Sequence, residues 1–113
     1  MENKDVNKGK QLSEKLIKKA PNKIPIILKK DPKSKMKAIE KTKYLIPKDF
    51  TVSQFSLIIR KRIELNPEDA FFLIVKGKYA IAGETRLNDI YEQYANEDDG
   101  ILYVVYAEEE FGG

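Results

Sequence analysis

The 113-residue sequence contains no cysteine and no histidine. Their absence excludes disulfide bonds, thiolate zinc sites, cysteine nucleophiles and every imidazole acid, base or metal ligand. Among the carboxylates, lysines, tyrosines and hydroxyls that remain, we find no catalytic group, no metal site and no cofactor motif. The acidic run at residues 108–110 lies at an end of the chain that we expect to be flexible, where it could not preorganise acid–base catalysis. We therefore expect a protein that is not an enzyme.

Long hydrophobic runs are also missing. The longest, at residues 24–28 and 70–75, are far shorter than the roughly 20 residues needed to cross a bilayer. The N-terminus lacks the apolar stretch of a secretory signal, so we expect a cytoplasmic protein whose membrane contacts are peripheral or covalent. With 42% hydrophobic and 35% charged residues, the composition is typical of one soluble domain.

The net charge of +3 hides an uneven distribution along the chain. Residues 1–50 carry fifteen lysines and six acidic residues, whereas residues 51–113 carry six basic and twelve acidic residues. The basic half could attract acidic peptides, anionic lipid or nucleic acid, although such lysine patches are as often simply solvated surface. A small RNA-binding domain is one alternative, but no aromatic residues cluster on a basic strand, so we expect no nucleic-acid partner.

Hydrophobic spacing and turn residues predict the order helix, strand, strand, helix, strand, short strand, helix, strand. Two strands, a helix that crosses the sheet and further strands form the order of an α+β β-grasp fold, with a mixed four-stranded sheet and an N-terminal helical extension. The best-supported helix begins at a capping box of Thr51 and Gln54 and ends before Pro67. The predicted elements are residues 6–19, 23–29, 43–47, 52–63, 71–75, 78–82, 87–94 and 102–107.

These elements divide the chain into a helical extension at residues 1–22, a β-grasp core at 23–108 and a flexible glycine tail at 109–113. Pro25 lacks an amide donor, so it must lie where that side of the first strand needs no hydrogen bond. The continuous apolar run at residues 71–75 predicts a strand in mid-sheet that is buried on both faces.

Several motifs occur in an order and spacing that resemble the GABARAP family of autophagy ubiquitin-like modifiers. They are KYLIP, FTVSQF, IIRKRI, EDAFFLIV, DDGILYVVY and the terminal FGG, and the resemblance runs from about Leu12 to the C-terminus. It implies a ubiquitin-like core, conjugation of a C-terminal glycine to phosphatidylethanolamine, and a lipid-anchored pool on autophagosomal membranes. The implied partners are short acidic aromatic-x-x-aliphatic motifs of autophagy receptors, a processing cysteine protease, and activating and conjugating enzymes. We expect the chain to be a monomer.

A short second strand at a sheet edge could accept such a motif as an added strand. The pattern alone assigns Ile46, Phe55 and Ile58 to the core, whereas the resemblance makes them partly exposed pocket walls. The resemblance assigns Leu12, Leu16, Pro25, Lys43, Leu45 and Ile101 to an aromatic pocket, Tyr44, Ile46, Pro47, Phe50, Phe55 and Ile58 to an aliphatic pocket, and Lys23, Lys41, Lys43 and Arg62 to contacts with acidic flanks.

The sequence departs from the family pattern at several positions. Leu12 stands where an acidic residue often lines the aromatic pocket, and Ile101 replaces a common Phe, so this pocket could be more apolar and differently shaped. Phe111 and Gly112 match the family ending, but Gly113 follows them. Either Gly113 is removed to expose Gly112, or Gly113 is itself the conjugated residue. A modifier joined to protein rather than to lipid remains an alternative.

Overall fold

The computed structural model of the chain describes residues 21–108. The predicted helix at residues 6–19 and the glycine tail at 109–113 lie outside this part. The described elements are β1 (Lys23–Lys30), β2 (Lys43–Pro47), α1 (Val52–Arg62), β3 (Phe72–Val75), β4 (Tyr79–Ala80), α2 (Leu87–Tyr94) and β5 (Leu102–Ala107).

One mixed sheet contains the strands in the order β2-β1-β5-β3-β4. β1 pairs antiparallel with β2 and parallel with β5, and β5 pairs antiparallel with β3. The predicted ubiquitin-like β-grasp topology is confirmed, but the sheet has five strands instead of four, because β4 pairs with β3 through two residues. As predicted, the apolar strand β3 is mostly buried and lies between two neighbours.

The capping box predicted for α1 is present. The Thr51 Oγ1 accepts a hydrogen bond from the Gln54 N–H (3.3 Å), and the Gln54 Oε1 accepts one from the Thr51 N–H (2.8 Å). These two bonds satisfy amides that would otherwise have no partner at the start of the helix. Val52, Phe55 and Ile59 then face inward and are buried.

The core lies between the two helices and one face of the sheet. Alternate residues of β1, β2, β3 and β5 contribute to it, because successive side chains of a strand point to opposite faces. Its strand residues are Ile24, Ile26 and Leu28 of β1, Tyr44 and Ile46 of β2, Leu73 and Val75 of β3, and Leu102, Val104 and Tyr106 of β5. Within residues 21–108, no helix is both long enough and apolar enough to span a bilayer.

Candidate functional site

β2 forms one outer edge of the sheet, and no other strand of residues 21–108 pairs with its outer side. On its inner side, the Leu28 N–H donates to the Thr42 C=O (2.8 Å). At the other end, the Lys48 N–H donates to the Asn22 C=O (2.9 Å). In an antiparallel ladder, hydrogen-bonded pairs alternate with non-hydrogen-bonded pairs. Between Thr42 and Lys48, successive residues therefore direct their backbone N–H and C=O groups alternately toward β1 and away from it.

The same alternation determines which backbone groups face outward. Tyr44 and Ile46 direct their N–H and C=O groups toward β1, whereas Lys43 and Leu45 direct theirs away from the sheet. Pro47 has no N–H and ends the strand. The outer edge of β2 therefore offers two N–H donors and two C=O acceptors, with the spacing that an added extended strand requires.

A row of apolar side chains crosses the sheet next to this edge. Leu45 pairs with Pro25, and Ile101 directly precedes Leu102, which pairs with Ile26. These three side chains therefore share the sheet face that points away from α1. Pro25 and Ile101 are buried, and Leu45 is partly exposed. The structure thus brings together three of the predicted aromatic-pocket residues, with Lys43 two positions along the same strand; Leu12 and Leu16 lie outside the described residues.

Pro25 lies, as predicted, where β1 needs no amide donor. Its pairing with Leu45 is of the non-hydrogen-bonded type, so its nitrogen faces β5 rather than β2. Parallel pairing with β5 begins only at Ile26 and Leu102, one residue later. The missing amide therefore costs the sheet no hydrogen bond.

The carboxylate of Asp99 positions the start of β5. Its Oδ1 accepts a hydrogen bond from the Ile101 N–H (2.9 Å), and its Oδ2 accepts one from the Tyr103 hydroxyl (2.5 Å). Burial and this contact with Asp99 together raise the pKa of Tyr103 to about 12. Sequence reasoning missed this pair, whose effect is to fix the backbone at Ile101 in the apolar row.

Several residues assigned to the aliphatic pocket lie in the core. The ring of Tyr44 meets that of Phe55 edge-on, with the centroids 5.5 Å apart. Tyr44, Ile46 and Phe55 are only 6%, 5% and 0% exposed. The expectation of partly exposed walls at Ile46 and Phe55 is therefore wrong, because α1 packs directly onto β2. The other three residues assigned to this pocket, Pro47, Phe50 and Ile58, are partly exposed.

Basic side chains lie at both ends of β2. The Lys41 Nζ and the Arg62 Cζ are 5.2 and 5.8 Å from the centroid of the Tyr44 ring, within the range of cation–π attraction. Lys43 is exposed where β2 begins. Lys23 is exposed at the far end of β2, where it pairs with Pro47. Three of the four predicted acidic-flank residues thus gather at one end and the fourth lies at the other.

A hollow of about 280 Å³ lies between the end of α1 and the segment that precedes β2. Its lining residues are Lys37, Ala38, Ile39, Glu40, Lys41, Arg62 and Glu64. The Lys37 Nζ and the Glu64 Oε1 are 3.3 Å apart across its mouth. Nearby, the Tyr44 hydroxyl is buried without a hydrogen-bond partner in residues 21–108, and its burial raises the pKa of Tyr44, an effect that Arg62 opposes.

Two comparisons with known proteins cover most of the chain. A sequence profile of the family described as autophagy protein Atg8, ubiquitin-like, matches residues 8–113. Among solved structures, the chain is similar to the crystal structure of Trypanosoma brucei ATG8, with a TM-score of 0.84 and 31% sequence identity. That match covers 90% of this chain and 86% of the other.

Proposed function

Because the chain belongs to the Atg8 family of ubiquitin-like autophagy proteins, we propose that it is a non-enzymatic modifier joined through a C-terminal glycine to phosphatidylethanolamine. It then recruits partners that carry short acidic motifs of the form aromatic-x-x-aliphatic. The observation that supports the recruiting role is the outer edge of β2, where the backbone groups of Lys43 and Leu45 face outward. The lipid attachment would retain these partners at autophagosomal membranes.

The motif binds in this proposal by adding a strand to β2. Its backbone pairs with Lys43 and Leu45, and its alternate side chains reach the predicted aromatic and aliphatic pockets beside the strand. The aromatic side chain packs on the partly exposed Leu45, with the buried Pro25 and Ile101 beneath it. Leu12 and Leu16 would complete that pocket. The aliphatic side chain packs on the rim formed by Pro47, Phe50 and Ile58, with Tyr44, Ile46 and Phe55 as the floor beneath it.

The basic side chains would pair with acidic residues that flank the motif. Lys41, Lys43 and Arg62 lie together at the end where β2 begins, and Lys23 lies at the end where β2 stops. Charges at the rim of an interface mainly accelerate association and fix orientation, and contribute less to affinity. Because three of these basic residues lie at one end and one at the other, we expect the more acidic flank of the motif to lie where β2 begins, which determines the direction of binding.

Conjugation would use the segment that follows β5. Glycine has no side chain, so a terminal glycine can enter narrow enzyme channels and present its carboxyl group for activation. The catalytic cysteines for processing, activation and transfer belong to partner enzymes, because this chain contains none. The acceptor is Gly112 if Gly113 is removed, and otherwise Gly113.

Reconstitution tests the conjugation. The full chain is incubated with the activating and conjugating enzymes of the family and vesicles containing phosphatidylethanolamine, and the C-terminal peptide is analysed by mass spectrometry. We expect phosphatidylethanolamine on Gly112 or Gly113 and a mobility shift that phospholipase reverses. A chain that ends at Phe111 is the control and should give no product. A stable adduct with protein would instead support the protein-modifier alternative, and lipidation of the control would place the acceptor elsewhere.

A further inference from the structure

A lysine-rich segment lies beside the end of β5. Residues 29–37 contain five lysines, and this segment, here called the lysine loop, joins the end of β1 to the approach to β2. β1 and β5 are parallel, and Lys30 at the end of β1 pairs with Tyr106 near the end of β5. The lysine loop therefore leaves the sheet at the same place as the C-terminal tail.

Hydrogen bonds join the lysine loop to Tyr106 of β5 and to Glu108, which follows this strand. The Asp31 N–H donates to the Tyr106 C=O, and the Lys35 N–H donates to the Glu108 Oε2, each over 2.9 Å. Beyond the loop, the Ile39 N–H donates to the Tyr106 hydroxyl (2.8 Å). Tyr106 and Glu108, which lie just before the tail, are thus hydrogen-bonded to the lysine loop and to Ile39 beyond it.

Three of the five lysines are available to a partner. The Lys30 Nζ donates to the Ser34 C=O (2.7 Å), and the Lys37 Nζ pairs with Glu64. Lys29, Lys33 and Lys35 are exposed, and their ammonium groups have no partner within residues 21–108. The loop backbone that presents two of them is itself ordered by a turn in which the Ser34 N–H donates to the Asp31 C=O (2.9 Å).

The length of the tail limits how far the lysine loop can lie from an attached membrane. Five residues separate Glu108 from the end of the chain and span at most about 17 Å when fully extended. The cytoplasmic leaflet has a negative surface potential, which attracts basic segments within about one Debye length, roughly 8 Å at physiological salt. Because the lysine loop is hydrogen-bonded to Glu108, it lies within about the extended length of the tail from an attached bilayer, and the lysine side chains reduce the distance that remains.

We propose that the lysine loop is a second membrane contact, in which Lys29, Lys33 and Lys35 bind anionic lipid headgroups once the tail is attached to a bilayer. This inference rests on the proposed lipid conjugation. Three acidic residues at 108–110 directly precede the end of the chain that would be attached, and a negative membrane repels them. The lysines offset that repulsion and orient the sheet with the ends of β1 and β5 toward the bilayer.

A chemical tether tests this contact without the conjugating enzymes. Because the chain has no cysteine, Gly113→Cys provides a single thiol that couples the full chain to a maleimide-bearing lipid in vesicles. The vesicles contain phosphatidylcholine alone or with phosphatidylserine, and acetylation of each lysine is measured by mass spectrometry. On anionic vesicles we expect acetylation of Lys29, Lys33 and Lys35 to slow by about fivefold, the factor typical of one basic residue near such a surface. High salt should remove the effect.

The matched variants replace equal charge at opposite ends of the sheet. In the natural chain, acetylation of the neighbouring loop lysines, Lys30 and Lys37, should also be slower on anionic than on neutral vesicles. Lys29→Gln, Lys33→Gln and Lys35→Gln together should abolish this difference. The control substitutions are Lys48→Gln, Lys76→Gln and Lys78→Gln, which lie at the other end of the strands. Together they should leave that difference unchanged.

Three results would overturn the proposal. They are equal acetylation of the loop on both kinds of vesicle, equal protection at both ends of the sheet, and protection that requires an added conjugating enzyme. The last result would assign the lysine loop to an acidic protein surface. Because the tether replaces enzymatic conjugation, failure of the reconstitution described above would not alter this outcome, and the two failures can be told apart.

Discussion

The two outer edges of the sheet differ in length and in what they present. β2 has five residues, two of which direct both backbone groups outward, and lysines lie beside it. β4 has two residues, Tyr79 and Ala80, and the ring of Tyr79 packs against that of Tyr94 with centroids 5.4 Å apart. Because Tyr79 pairs with Val75 and the Ile81 N–H donates to the Leu73 C=O, only Ala80 points its backbone groups outward.

This difference means that only one of the two edges suits the proposed addition of a peptide strand. An edge strand as short as β4 cannot hold an extended chain in register, since it supplies a single donor and a single acceptor. β2 supplies two of each, and its own side chains are alternately buried in the core and available to a ligand. The edge proposed to bind a peptide is therefore also the edge whose inward side chains stabilise the fold.

Proline substitutions at two neighbouring positions of β2 should have the largest effects and should separate its role in stability from its proposed role in peptide binding. Tyr44→Pro removes an inward N–H and a buried ring, and we expect it to lower the free energy of unfolding by at least about 3 kcal/mol. Leu45→Pro removes an outward N–H, so the chain should remain folded while its affinity for an acidic aromatic-x-x-aliphatic peptide falls at least about tenfold. Urea denaturation and calorimetric titration measure the two effects. Equal loss of stability in both variants would contradict the assigned direction of the backbone groups.

A side-chain substitution at the edge should have the next largest effect. Leu45→Ala should weaken the same peptide by about tenfold, near 1.4 kcal/mol, because the aromatic side chain loses part of its pocket. Leu57→Ala is the matched control, since Leu57 is 58% exposed and lies on α1 rather than on β2. Fluorescence anisotropy gives both dissociation constants. If the two substitutions weakened binding equally, the edge would not be the docking site.

Removal of charge beside β2 should slow association more than it speeds dissociation. Lys41→Gln combined with Arg62→Gln should reduce the association rate constant several-fold at low salt, and the reduction should shrink as salt is added. Lys76→Gln combined with Lys78→Gln removes the same charge beside the other edge and should change neither rate constant. Stopped-flow kinetics measures both. A change confined to the dissociation rate would show that these cations make direct contacts instead of steering the peptide.

The pair of Asp99 and Tyr103, which supports the row beside β2, should produce a small dependence of stability on alkaline pH. Burial and the bond to Asp99 raise the pKa of Tyr103 to about 12 from the usual 10.0. The contribution of Tyr103 to the free energy of unfolding is complete below pH 10.0 and declines as the pH rises toward about 12. Thermal unfolding across this interval should show the decline in the natural chain and less of it in Tyr103→Phe. An identical decline in both would assign the titration to other groups.

Sequence reasoning predicted the candidate site unevenly. It located the edge strand at residues 43–47, since a short β-rich segment with Pro47 at its exit is a local pattern. The apolar pattern assigned Phe55 and Ile46 to the core, but the resemblance made them partly exposed pocket walls, and the structure buries both. Apolar spacing identifies the inward face of a helix, but the separation between α1 and β2 decides what that face touches. That separation depends on Tyr44, whose ring fills the space beside Phe55.

The amino-acid sequence by itself determined the order of the elements, the capping box at Thr51 and the burial of β3, because caps and periodicity depend on residues that are neighbours in the chain. Only the tertiary structure decided that Glu108 meets Lys35 and that Tyr106 meets Ile39. These partners are 73 and 67 positions apart, and the parallel pairing of β1 with β5 brings them together. That pairing connects the base of the tail to the lysine loop, since contacts between distant residues form only once the sheet has assembled.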